Sequence, residues 1–232
     1  MKPTLLALLS TTVLGMAADL PAEPPAKKGA LIFSDDFERS ELGAAWRPIV
    51  PTFTVSDGVL KGSQTRDDHG AVGSIKAALK DGVIEFKFRF EGASSINAVF
   101  DDKTYKGSHA GHICRVSLTP KQIRLGDDKE GVMRNDILEM RKDPARKAEA
   151  EKLLIGRGQA ISAKLEQGRW YRLRIEIVGD EIRVSLDDQA IGFLKSPGIG
   201  HPTKTDFHFT VSGKDALFDD VRIWTVEPAN PR

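Results

Sequence analysis

The sequence predicts an all-β fold, two antiparallel sheets packed as a sandwich or jelly roll. Three observations carry that expectation. Apolar and polar residues alternate with period two in run after run. Short Gly- and Asp-containing turn signals separate the runs. A single stretch, near residues 133–154, has helical texture instead. At 232 residues the chain fits one domain behind a disposable N-terminus.

The N-terminus reads as a targeting segment. Lys2 is a minimal positive start, Leu5 to Leu14 is a short apolar run, and Ala17-Ala18 offers small residues for cleavage. Residues 1–18 are therefore expected to be a signal peptide and the mature protein to be secreted or periplasmic. The run is too short to span a membrane. Residues 19–29, DLPAEPPAKKG, read as a linker. Removing 1–18 takes away Lys2 and no acid, leaving 33 basic and 33 acidic residues. Such a balance argues against a nucleic-acid partner held by bulk charge. The one cysteine, Cys114, excludes an intramolecular disulfide, which a domain of this size does without.

The domain is expected over residues 30–226, with 227–232 as a tail. Ala30 to Phe37 is a first strand. Phe53–Val55 and Val59–Lys61 flank the turn Ser56-Asp57-Gly58. Ala71 to Leu79 follows. Ile84, Phe86, Phe88 and Phe90 alternate with Glu85, Lys87 and Arg89 in an amphipathic strand. Ile96–Phe100, Ile113–Leu118 and Gln122–Leu125 continue the series. Residues 127–166 turn polar and alanine-rich. Ala145 to Leu154 holds strong helix formers, and Asp143-Pro144 suits a helix start.

The sharpest local prediction lies at Trp170 to Ile191. Two alternating runs flank Gly179-Asp180, which reads as a two-residue hairpin turn. The turn sets a register: Val178 opposite Glu181, Ile177 opposite Ile182, Glu176 opposite Arg183, Arg172 opposite Asp187. A one-residue slip would put every side chain on the wrong face. Asp206–Ser212 and Ala216–Thr225 close the fold.

These pieces, taken together, resemble a known family. FSDDF, FTVSDGVLKG, IEFKFRF, GRWYRLRIEIVGDEIRVSLDDQAIG and ALFDDVRIW occur in that order. They are similar to the concanavalin A-like jelly-roll superfamily, and within it to secreted bacterial 3-keto-disaccharide hydrolase-like domains. The likeness covers about Leu31 to Trp224. It implies a sandwich that processes or binds glycosides, and structural calcium is common in the superfamily. The helical segment departs from the plain domain. Family-16 glycoside hydrolases share the fold and carry Glu-x-Asp-x-x-Glu. No Glu-x-Asp occurs here, and Glu85 is followed by Lys87 where a second carboxylate is needed. A retaining glycosidase places two carboxyl groups about 5–5.5 Å apart, so that mechanism is not expected on this strand.

Several polar constellations are candidates for chemistry. Six Asp-Asp pairs occur. Asp35, Asp36, Asp219 and Asp220 sit in the first and last strands and could converge on calcium, although Asp also favours turns and strand ends for local reasons. His109 and His112 follow Asp101-Asp102 by a short loop; together they could ligate a metal or move protons near neutral pH. Asp206, His208 and Thr210 alternate with Phe207, Phe209 and Val211, so the polar three face away from the core. Arg115 could clamp a sugar hydroxyl or carboxylate. The expected site therefore combines Asp102, His112 and His208 as acid–base groups with Asp101, His109, Arg115 and Asp206 as binding groups. The function expected is hydrolysis or binding of a glycoside, the alternatives being a non-catalytic carbohydrate-binding module and an envelope adhesion domain. The expected partner is carbohydrate. Oligomeric state is not encoded legibly.

Overall fold

The structure, a computed structural model, describes residues 26–227. The expected signal peptide and most of the linker and tail lie outside the described residues. Thirteen strands and two short helices follow one another: β1 (Lys28–Asp35), β2 (Arg47–Val50), β3 (Phe53–Ser56), β4 (Val59–Ser63), β5 (Ala71–Leu79), β6 (Gly82–Asp101), β7 (His112–Thr119), β8 (Gln122–Asp127), α1 (Asn135–Lys142), α2 (Lys147–Leu153), β9 (Gly158–Ser162), β10 (Tyr171–Val178), β11 (Glu181–Leu186), β12 (Gln189–Lys195) and β13 (Lys204–Val226). Every pairing between these strands is antiparallel.

Two long strands organise the sandwich. Residues 82–90 and 96–101, expected as separate strands, are one strand, β6; residues 206–212 and 216–225 are likewise one strand, β13. They pair with each other along nearly their whole length, with register shifts around Gly213. There Gly92 (φ 91°) pairs with Asp215 and Gly213 (φ 86°) pairs with Ala93, on either side of the shift. Positive φ is cheap only for glycine, and bulges bend a strand without ending it. The bend folds β13 over itself, so that Phe209 stacks on Phe218 of the same strand at 4.1 Å between centroids.

Beyond the bend the ladder splits in two. The first half of β6 and the second half of β13 carry β10–β11–β12 on one side and β1, β4 and β3 on the other. The other halves carry β7–β8–β9 on one side and β5–β2 on the other. These two sheets enclose the core, in which Phe86 meets Phe209 edge-on at 4.9 Å and Phe100 meets Phe207 at 5.2 Å. Each such buried Phe contributes about 1.5–3 kcal/mol by leaving water.

The predicted hairpin is present in the predicted register, Val178↔Glu181 through Leu173↔Leu186, with Gly179 at φ 57°. Its charges are shared more widely than a simple cross-strand pair. Glu176 is buried; its carboxylate takes the Nε–H of Arg174 (2.6 Å) and the backbone N–H of Ala26 (2.9 Å). Residues 26–29, expected as linker, are thus docked on the domain. β2, β9 and β12 are not announced by the sequence, because RPIV, GQAIS and QAIGFLK alternate weakly. Asp143-Pro144 does not start α2. Asp143 instead accepts the backbone N–H of Ala145 (2.9 Å) in the turn between the helices, the Asx geometry that competes with capping.

Candidate functional site

The outer face of the second sheet is a ladder of polar side chains. Core-facing Phe207, Phe209, Ile96, Ala98, Phe100, Val116 and Leu118 put their alternates on the opposite face. Three rungs cross the strands: Lys76–Asp206–Asp101–His112; then Arg47–Ser74–His208–Val99–Arg115–Gly126–Gly158; then Val72–Thr210–Asn97–Ser117–Arg124–Ala160.

Strict alternation in β7 would turn His112 into the core with Cys114 and Val116. A register shift between Phe100 and Asp101 prevents it: Phe100 pairs with Cys114, but Asp101 pairs with His112. Both Ile113 and Cys114 then face the core and His112 joins the polar face. Re-aiming one side chain is a common use of a bulge.

Asp101 is the centre of this face and is fully buried. One carboxylate oxygen takes Nδ1 of His112 (2.5 Å); the other takes Nδ1 of His208 (2.9 Å) and Nζ of Lys103 (2.6 Å). An ionised carboxylate only accepts, so each ring donates its Nδ1–H and presents Nε2. The ring centroids of His112 and His208 lie 5.5 Å apart. Burial alone would raise the Asp101 pKa; the hydrogen bonds from both histidines outweigh it and hold the carboxyl well below the usual range. Burial lowers the His208 pKa, and Asp101 offsets this only in part. His109 is exposed, its ring 5.7 Å from that of His112; burial of part of the ring and then the charge of His112 lower its pKa.

These directions fix a pH dependence. Below the ordinary histidine value of 6.5 the unfolded chain takes up protons that native His208 resists. Stability is therefore expected to fall as pH drops through that value. It should fall again below 3.8, where unfolded Asp101 and Asp102 protonate while the native carboxyls resist. Melting temperatures between pH 8 and pH 3 test this; a flat profile from pH 7 to pH 5 contradicts it.

Asp102 does not join the histidine pair. Adjacent strand residues point to opposite faces, and its carboxylate binds the N–H (2.8 Å) and Oγ1 (2.7 Å) of Thr104, Nε2 of His201 (3.0 Å) and Thr203. It ties the 102–111 loop to the loop before β13. Asp206 is next to Asp101 on the ladder but is held by Arg47, Lys76 and Thr205. Arg115 donates Nε–H to buried Asp128 at 2.5 Å. Asp128, Lys103, Arg47, His201 and Arg157 were not legible as partners, since each meets its neighbour through register or loop packing.

The four aspartates expected to hold calcium have other partners. Asp35 binds Arg39 and the indole N–H of Trp46. Asp36 accepts the backbone N–H of Glu38 at 3.3 Å. Lys87 bridges Asp219 and Asp220. Their oxygens do not form a common ligand set; among the described residues, the group with all its ligating atoms within 4.8 Å of one another is Asp101, His112 and His208. There Asp101 orients the two rings, and their Nε2 atoms are the ones that would meet a metal. Glu85 and Lys87 are closed off by salt bridges, to Lys28 and Arg174 and to Asp219 and Asp220.

No family profile and no curated protein matches this chain in sequence. Solved structures do match in shape. A laminarinase from Flavobacterium sp. UMI-01 superposes with a TM-score of 0.59 at 9% identity, over 84% of this chain and 100% of that one. Porphyranase B from Zobellia galactanivorans gives 0.58 at 12%, over 89% and 97%. The carbohydrate-binding module CBM66 from Bacillus subtilis gives 0.52 at 14%, over 78% and 96%. At such identities the likeness establishes architecture, and the chain has the concanavalin-like jelly-roll fold.

Proposed function

We propose that this is a secreted or periplasmic carbohydrate-active protein that processes a glycoside on the outer face of the second sheet, with His112 as acid–base group and His208 beside it. The observation that carries the reading is the buried Asp101 carboxylate gripping both Nδ1 atoms and fixing both Nε2 atoms. A carboxylate that fixes the tautomer and orientation of an imidazole makes it a competent base. The carbohydrate-active shape neighbours support the substrate class. No helix of the described residues is long and apolar enough to cross a membrane.

A keto sugar suits a histidine base. In a 3-keto-glycoside the C2 hydrogen lies beside a carbonyl and is acidified. One imidazole takes that proton, the C1–O bond breaks, and the imidazolium returns the proton to the leaving oxygen. Water then adds across the C1=C2 bond, and the sum is hydrolysis. An ordinary retaining pathway needs two accessible carboxylates, whereas Asp101 is enclosed by His112, His208 and Lys103.

The test incubates the chain with 3-ketosucrose and follows products by mass spectrometry. His112→Gln is expected to lower turnover by about 10²–10⁴-fold, the usual size of an acid–base contribution, measured at a temperature where its melting curve shows the variant folded. Turnover retained in His112→Gln overturns the assignment. Saccharide binding without turnover by the native chain favours the binding-module reading.

A further inference from the structure

Beside the histidine pair a cavity of ≈ 310 Å³ opens on the same face. Its floor is β7, β8 and β9, where Gly126 and Gly158 pair and leave room above the sheet. Its wall is the helical segment, through Val132, Arg141 and Leu154. Four guanidiniums line it, those of Arg115, Arg124, Arg141 and Arg157, against two carboxylates, Asp127 and Asp128.

The carboxylates do not neutralise this set. Asp127 is bound by Ser196 Oγ (2.5 Å) and the N–H groups of Gly198 and Glu130 (both 2.9 Å). Asp128 meets Arg115 through one oxygen, leaving its Oδ1 and the Nη2 of Arg115 buried without partners. Arg157 reaches Ser196 Oγ (3.1 Å), with its Nε buried and unpartnered. The exposed heads of Arg124 and Arg141 make no ion pair or hydrogen bond among the described residues. Elsewhere exposed arginines find acids, as in Arg66–Asp68 and Arg146–Glu149. Four permanent cations around one cavity against two carboxylates, with the exposed heads of Arg124 and Arg141 unpaired among the described residues, are what an anionic ligand would complete.

We infer that this cavity binds an anionic substituent, a carboxylate or a sulfate ester, of the saccharide handled by the neighbouring histidines. The inference rests on the carbohydrate reading above and names the substrate class within it: an acidic saccharide. A planar guanidinium matches two oxygens of a carboxylate or sulfate at once. The cavity volume is near the lower end of small-molecule sites, about 300–1,000 Å³, so one substituted sugar unit is the natural occupant. Arg115 is shared between the two sites: it lies on the same rung as His208, two strands away across Val99.

Calorimetry of the full chain at about 0.15 M salt tests this with trigalacturonate, a sulfated galactotriose, neutral laminaritriose and inorganic sulfate. At least one acidic trisaccharide is expected to bind at least tenfold more tightly than laminaritriose. Arg124→Ala and Arg141→Ala should each weaken it by about tenfold, and Arg141→Lys by less. Lys164→Ala, on a remote exposed side chain, should change nothing. The carboxylate and sulfate arms decide which group is preferred. Equal binding of neutral and acidic sugars, or arginine variants that bind as the native chain does, overturns the anion pocket and leaves the carbohydrate reading standing. Inorganic sulfate binding as tightly as the acidic sugars overturns the saccharide assignment of the pocket. Failure to bind any saccharide, with no turnover of 3-ketosucrose, overturns both readings.

Discussion

Replacing Asp101 by Asn is expected to destabilise the protein by about 3–5 kcal/mol, the usual cost of removing one partner from a buried ion pair. Asp101 is fully buried and receives hydrogen bonds from His112, His208 and Lys103. An amide keeps the shape but presents two N–H groups to partners that are themselves donors. One histidine must change tautomer or lose its bond, and the Lys103 ammonium loses its counter-charge. Turnover of a keto-disaccharide should fall together with stability. The second variant Asp101→Asn/Lys103→Met should recover part of the stability, because the orphaned cation is gone, but not the activity, because the rings stay misoriented. Urea unfolding and product assay on both variants decide it. A single variant within 0.5 kcal/mol of the native chain would show that the carboxylate is not the centre of the network.

Gly111→Ala is expected to be nearly as damaging, from the backbone. Gly111 has φ 78°, and a Cβ there would lie 2.1 Å from the carbonyl oxygen of Asp102. The left-handed conformation alone costs a non-glycine residue about 1–2 kcal/mol, and the overlap with a backbone atom cannot be relieved by turning a side chain. The chain must move where Gly111 accepts the Asp102 N–H (2.9 Å) and where His112 begins β7. Activity should therefore fall alongside stability. Gly179→Ala is the control. It has φ 57° and nothing within 4 Å of the added carbon, so it should cost about 1–2 kcal/mol and leave activity intact. Similar losses in the two variants would mean that the 102–111 loop has slack that its packing does not suggest.

The β-sandwich class, the hairpin at Gly179-Asp180 with its register, and the outward face of Asp206, His208 and Thr210 were all legible in the residues alone. All three follow from local rules, since side chains alternate along a strand and a two-residue turn counts pairs outward from itself. Tertiary structure decided the rest. Gly92 and Gly213 lie far apart in the chain, and only the pairing of their two strands reveals that β6 and β13 each cross both sheets. Asp101 and Asp102 look equivalent in sequence; their opposite faces, fixed by the ladder, give one to the histidines and the other to Thr104, Thr203 and His201. The bulge at Asp101 then brought His112 to the polar face against the alternation of its own strand. The unpaired arginines became visible only when β7, β8 and the helical segment closed around one cavity, because charge balance within a site depends on which distant acids reach it, and a sequence records only how many there are.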